Sequence, residues 1–190
     1  MHTIEPFFLW RELYISSEDE RSPFYGQEYS ELYFTKTIYN YYIHPQWDEF
    51  GSTTLYLKVL YADYDTGFAI LELIGEWNDC LYNDVMILKE NVINPMIQSG
   101  IFKYMVICEN VLNYHASDDC YYEQWYEDIC EEEGWICFVN LLEHVETEMK
   151  QSLIHSYVHF FNDIQWRKKK PDHIEQLLEQ LQSGKTKELY

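Results

Sequence analysis

Basic residues are scarce in this 190-residue chain, where 13 Lys and Arg stand against 33 Asp and Glu for a formal charge of −20. The deficit is uneven: residues 165–190 hold six basic and four acidic residues, and residues 1–164 hold seven and 29. A body of that sign repels phosphate backbones and anionic lipid, so neither nucleic acid nor a membrane surface is an expected partner. No run approaches the roughly 20 apolar residues of a membrane helix. The opening residues, Met1–Glu12, lack the basic start and long apolar core of a secretory leader. The five cysteines are odd in number and show no C-x-x-C spacing, which points to reduced thiols rather than a disulfide frame. A soluble cytoplasmic protein is the expectation. Also absent are a P-loop, a G-x-G-x-x-G turn, a G-x-S-x-G elbow and an EF-hand loop. Without them no cofactor, metal or catalytic residue is assigned from sequence.

Aromatic side chains are plentiful instead, with 18 Tyr, 10 Phe and 6 Trp. They suit the faces of a β-rich N-terminal half, and Tyr and Trp also mark interfaces. From residue 67 onward, short apolar runs alternate with helical patterns. Strands are expected at Phe68–Gly75, Phe102–Cys108 and Trp135–Leu141, and helices at Asp79–Gln98, Ser117–Glu133 and Glu143–Ile164. Pro95 should kink or shorten the first of these helices. Alternation of this kind signals βαβ units and a parallel sheet. Before it, Phe7–Ile15, Glu31–Ile43 and Thr53–Tyr61 read as strands that supply antiparallel neighbours to the sheet edge. Ser16–Pro23 reads as a charged surface loop. The fold class is therefore α/β, a single mixed sheet with antiparallel N-terminal strands and a βαβαβα C-terminal part. Residues 1–52 form a β-rich extension, 53–164 the α/β domain, and 165–190 a basic segment (Arg167–Lys170) with a short amphipathic helix and tail.

In parallel sheets, function gathers on loops that leave the carboxyl ends of strands. Here that place is Glu109–Asp119, a polar loop holding Glu109, Tyr114, His115, Ser117 and Asp118. Ser117 stands where a helix cap belongs, with Asp118 and Asp119 in the first turn. Carboxylates and an imidazole in one loop can ligate a metal or move protons, so a metal-binding protein or hydrolase using residues 109–120 is the alternative reading. Cys120 near a helix start is a candidate thiol, although two aspartates beside it oppose ionisation. His155 and His159 have the i, i+4 spacing of a two-histidine pair on a helix.

The order hairpin, helix, strand, helix, strand, helix resembles the STAS domain, the module of anti-sigma factor antagonists, over about residues 53–162. Leu73-Ile74-Gly75-Glu76-Trp77-Asn78-Asp79 resembles that family's Leu-x-Gly-Glu-x-Asp turn, and Gly134–Leu141 its glycine-led fourth strand. Val106–Ser117 resembles the strand and loop ending in Asp-Ser-Ser-Gly, with Ser117 on the position that is phosphorylated there. This chain reads His115-Ala116-Ser117-Asp118 instead, which would set a phosphate against Asp118 and Asp119. The resemblance implies a non-catalytic regulatory module that works through protein–protein contact. The expected contact residues are Trp47, taken as an exposed aromatic, with Glu109, Tyr114, His115, Ser117 and Asp118. The expected partner is another protein, including a second copy of the chain.

Overall fold

The computed structural model describes residues 2–30, 32, 34 and 36–184. Three short strands, β1 (His2–Ile4), β2 (Thr37–Ile38) and β3 (Tyr41–Ile43), form a small sheet of order β1-β3-β2. The main sheet has the order β4-β5-β6-β7-β8. In it β4 (Leu55–Asp63) pairs antiparallel with β5 (Phe68–Asn78) across a tight turn. β6 (Lys103–His115), β7 (Trp135–Val139) and β8 (His159–Phe161) follow, all parallel to β5. The mixed sheet read from the sequence is present. The first strands, however, build a separate sheet rather than its edge, and positions 31, 33 and 35 of the expected strand over 31–43 lie outside the described residues, as does the tail from 185.

Phe7–Ile15 is not a strand. Arg11 donates to Phe8 O, and Leu13 and Tyr14 both donate to Trp10 O, so the segment turns back on itself. The turn sets Phe7 and Trp10, three residues apart, edge-on to one another and to Trp166, with ring centres 4.9–5.6 Å apart. Period-2 geometry would send those two rings to opposite faces. Ser16–Pro23 also departs from expectation, because Ser16 and Ser22 are buried and the adjoining Phe24 enters the main core.

The expected helix over Asp79–Gln98 is divided into α1 (Asp79–Tyr82), α2 (Asp84–Leu88), a π turn (Lys89–Ile93) and α3 (Asn94–Gln98). Asn83 makes the first break in the left-handed conformation (φ 53°). The π turn precedes Pro95, which has no N–H to give to the carbonyl of residue 91. α4 (Cys120–Cys130) is shorter than expected. α5 (Glu143–Gln151) stops where Leu153 adopts φ 63°, and what continues is a 3-10 turn and strand β8. Phe160 of β8 stacks on Phe138 of β7 at 6.1 Å, which draws these residues into the sheet instead of a helix. α6 (Pro171–Gln182) is the short amphipathic helix, with Ile174 and Leu178 fully buried.

Both faces of the main sheet are covered. Leu71, Leu73, Trp77, Val106 and Phe138 face one core, filled by Val85, Leu88, Val92, Trp125, Ile129, Val145 and Met149 of the helices. Phe68, Ile70, Met105 and Cys137 face the other, with Trp10, Trp166 and α6. A third cluster, Ile38, Ile43, Trp47, Tyr56 and Ile74, joins the small sheet to the ends of β4 and β5. No helix among the described residues is long and apolar enough to cross a membrane.

Candidate functional site: the projecting end of the sheet

β6 is 13 residues long, yet β7 pairs only with Lys103–Ile107. Beyond that point Asn110–His115 pair with Ile74–Asn78 of β5 alone, so a two-stranded ribbon projects past the carboxyl edge of the sheet. Most of the supposed polar loop is thus strand. The ribbon carries two register shifts, after Glu72 and after Gly75. They place the buried Val111 and Tyr114 three residues apart, which hides the strand from a period-2 reading. Gly75 (φ 128°) is needed where the ribbon bends. A Cβ there would stand 2.1 Å from Thr54 O and 2.7 Å from Ile38 Cδ1.

On the ribbon, Glu76 collects partners from three elements. Its carboxylate lies 3.1 Å from His115 Nε2 and accepts from the Tyr39 hydroxyl at 2.6 Å and Asn78 Nδ2 at 3.2 Å. Asn113 Nδ2 is 3.1 Å from the same imidazole nitrogen. Below this exposed group lies a buried one. Asp79 Oδ1 accepts from Trp77 Nε1 (2.9 Å) and Val85 N (2.8 Å), and Oδ2 accepts from the Tyr122 hydroxyl (2.7 Å). Burial lifts the Asp79 carboxyl to about 6, against the lowering effect of those three donors. Asp84 Oδ2 accepts from Asn78 N at 2.7 Å, and burial raises this carboxyl too. The two aspartates hold the short helices α1 and α2 to the ribbon. Tyr114, fully buried against Trp77, has a hydroxyl that completes no well-formed hydrogen bond, and burial raises its pKa.

A cleft of about 600 Å³ opens above, lined by Glu76, Asn78, Leu81, His115, Glu148 and Ser152 among others. Exposed apolar side chains stand at the cleft or next in sequence to residues that line it. Leu81 is 74 % exposed and Leu153, next to Ser152, is 57 % exposed; Tyr82 is also exposed. Asn83 and Leu153, both left-handed, end the helices that present these side chains.

Glu109 belongs to a different cleft, of about 460 Å³, at the ends of β6, β7 and β8. Its carboxylate accepts from Asn140 Nδ2 and Trp166 Nε1, both at 2.7 Å, and pairs with Arg167 at 2.6 Å. Asn140, left-handed at φ 56°, also bonds both N and O of Ile164. Arg167, the first of the basic run Arg167–Lys170, is therefore engaged within its own chain.

Of the six expected contact residues, only Tyr114 and His115 share a cleft, and Tyr114 forms part of its wall as a buried side chain. Trp47 is a correction: it is 4 % exposed, and its Nε1 donates to Ile4 O at 2.8 Å, fixing β1 to the third cluster. Ser117 is exposed but does not cap α4; Asp119 holds that position, and neither makes a side-chain cap bond. Asp118 is exposed, accepts from Cys120 N at 3.3 Å, and pushes the Cys120 thiol up to about 11, away from a nucleophile. His155 and His159 fall in a 3-10 turn and a strand, so the helical pair does not exist. Among the described residues no three His, Cys, Asp or Glu side chains are grouped to hold a metal ion. Reading from sequence missed Glu76 and the buried Asp79–Tyr122 pair. A Glu and an Asp three residues apart within Gly75–Asp79, flanking a Trp, was the available signal.

No protein-family model and no curated protein matches the chain. Among solved structures, it is similar to the anti-sigma factor antagonist SpoIIAA in its unphosphorylated form. The TM-score is 0.48 and the identity 10 %, over 65 % of this chain and 96 % of that one. The phosphorylated form of SpoIIAA from Bacillus gives 0.43 and 9 %, over 64 % and 98 %. A candidate anti-sigma factor antagonist from Thermotoga maritima gives 0.42 and 13 %, over 58 % and 87 %. Each of these is a partial likeness at low identity to a structure named as an anti-sigma factor antagonist or as SpoIIAA.

Proposed function

We propose that this protein is a non-catalytic, cytoplasmic interaction module that receives a partner protein at the cleft on the projecting ribbon. The observation that supports this reading is exposed apolar surface at the cleft: Leu81, which lines it, and Tyr82 and Leu153, each next in sequence to a lining residue, stand in solvent, while the Glu76 carboxylate is already paired with His115 and Tyr39. A side chain as large as leucine left three-quarters exposed gains by being covered, and an apolar centre with a polar surround is the anatomy of a protein contact. Contact is favoured over chemistry, since among the described residues neither the Cys80 thiol nor the Ser152 hydroxyl of the cleft is hydrogen-bonded to a side-chain base. In this reading, residues 53–164 carry the contact, the described residues before 53 brace them, and 165–184 close the opposite face. The partner is a distinct protein or a second copy of the chain.

The test is affinity capture from the cell extract of origin with immobilised wild-type protein, a Leu81→Asp/Leu153→Asp variant and a Phe8→Asp/Leu13→Asp variant, each checked for unchanged thermal unfolding. The second pair lies on another exposed apolar stretch, Phe8–Ile15. A protein recovered by the wild type and lost only with the Leu81/Leu153 variant supports the reading. Recovery unaffected by that variant, loss confined to the Phe8/Leu13 variant, or no specific recovery overturns it. Light scattering of the purified protein identifies whether the occupant is a second copy.

A further inference from the structure

Cations are few here, yet one cavity is lined by two of them and by no carboxylate. It has a volume of about 160 Å³ and lies between the turned N-terminal segment and β4. Arg11, Lys58, Ser16, Ser17, Gln46 and Tyr29 contribute its polar lining. Arg11 is steadied by a hydrogen bond from its guanidinium to Gln46 Oε1 at 3.2 Å. Lys58 lies over the Tyr29 ring at 3.7 Å and pairs with Asp48 at 3.2 Å. Asp48 is itself buried, accepts from the Tyr29 hydroxyl, and does not line the cavity. A second observation points to a ligand. Ser16 is 1 % exposed and lines the cavity, and its hydroxyl, near that of Tyr29, completes no well-formed hydrogen bond. A buried hydroxyl left without a well-formed bond carries a cost that an incoming acceptor would remove.

We propose that this cavity binds a small oxyanion, of the size of phosphate, sulfate or a short carboxylate, between Arg11, Lys58 and the Ser16 hydroxyl. The guanidinium supplies a forked pair of donors to such an anion and the ammonium a point charge. Arg11 has no carboxylate partner among the described residues, so the lining keeps one positive charge beyond the Lys58–Asp48 pair. Burial pulls the Lys58 ammonium below its usual range despite Asp48, and a second anion beside it would favour the charged form. The volume excludes a nucleotide or a peptide side chain with its backbone. This site is separate from the ribbon cleft and does not depend on how that cleft is used.

The test is isothermal titration of the full chain with inorganic phosphate, sulfate and acetate, with sodium chloride at equal ionic strength as the reference. The expected result is saturable one-to-one binding of at least one of the three oxyanions, with the same anion raising the thermal midpoint. Phosphate and sulfate acting without acetate would assign a tetrahedral anion, and acetate alone a carboxylate. Arg11→Gln should weaken binding about tenfold, the loss of one charge-assisted hydrogen bond. Ser16→Ala should weaken it while leaving the unliganded protein at least as stable as before, since that hydroxyl has no well-formed bond to lose. Absence of saturable binding with all three oxyanions, or affinity unchanged in both variants, overturns the proposal.

Discussion

Glu72 accepts the backbone N–H of Phe7 at 2.8 Å across 65 residues of chain, in a position that is 1 % exposed. Burial lifts its carboxyl from the usual 4.5 to about 7; the Phe7 donor and Arg167 pull it down, and Glu109 pushes it up. The folded protein therefore holds a proton at Glu72 that the unfolded chain releases near 4.5. Stability from this group is complete below pH 4.5 and is lost as pH rises through about 7. The full swing is about 3 kcal/mol. Denaturant unfolding should show the protein less stable at pH 8 than at pH 5.5, and Glu72→Gln should remove most of the fall in stability between pH 4.5 and 7. Asp79, lifted to about 6, acts with the same sign at lower pH, so part of the slope below 6 should survive in that variant.

Tyr114 and Tyr122 offer a paired comparison. The Tyr122 hydroxyl donates to Asp79 at 2.7 Å, while the Tyr114 hydroxyl is buried without a well-formed bond. Tyr122→Phe should cost about 1–3 kcal/mol, because it leaves a buried carboxylate short of a donor. Tyr114→Phe should cost less, because its hydroxyl lies near Asp79 and Tyr122 without completing a well-formed hydrogen bond. Equal losses in chemical denaturation would show that both hydroxyls serve Asp79.

Gly75→Ala should be among the most damaging single changes. The new Cβ meets Thr54 O, a backbone atom that cannot swing aside, and φ of 128° is one that alanine avoids. A loss of about 3 kcal/mol is expected from strain and clash together. Thermal unfolding checks it, and Gly26→Ala, which carries the strain of a positive φ (73°) but meets nothing within 4 Å, isolates the share due to the clash.

Asn140 tests the second cleft. Its side chain bonds Glu109 and both backbone groups of Ile164, and its own φ is 56°. Asn140→Gly keeps the left-handed turn and loses only the bonds, whereas Asn140→Ala loses both. Alanine should therefore cost roughly 1 kcal/mol more than glycine in unfolding free energy, the reverse of their order in a helix.

These residues also show why some of the architecture could be read from the chain and some could not. β4, β5 and β7 alternate or run apolar without interruption, and α6 has a plain amphipathic stripe, so local pattern located them. The end of β6 was opaque because two register shifts destroy its alternation, and it looked like a loop for its Glu, Asn and His content. Phe7–Ile15 read as a strand because its aromatic content hid a turn enforced by Trp166, more than 150 residues away. His115 and Tyr114 were located as a site from position alone. Their partners Glu76 and Tyr39 were not, because pairing between β5 and β6 and packing of the small sheet bring them together.

Lys58 and Glu72 occupy directly opposed positions on β4 and β5, yet they do not bond one another. Each is claimed by the first 52 residues: Lys58 by Asp48, and Glu72 by the amide of Phe7. Those residues thus give separate partners to a lysine and to a carboxyl that stays protonated below about pH 7, on neighbouring strands. A shortened chain beginning at residue 53 would lose those partners, and its lysine and glutamate would be free to neutralise each other across the strand pair. Such a fragment would be a rewired surface rather than a trimmed copy, and its behaviour would not report on the parent.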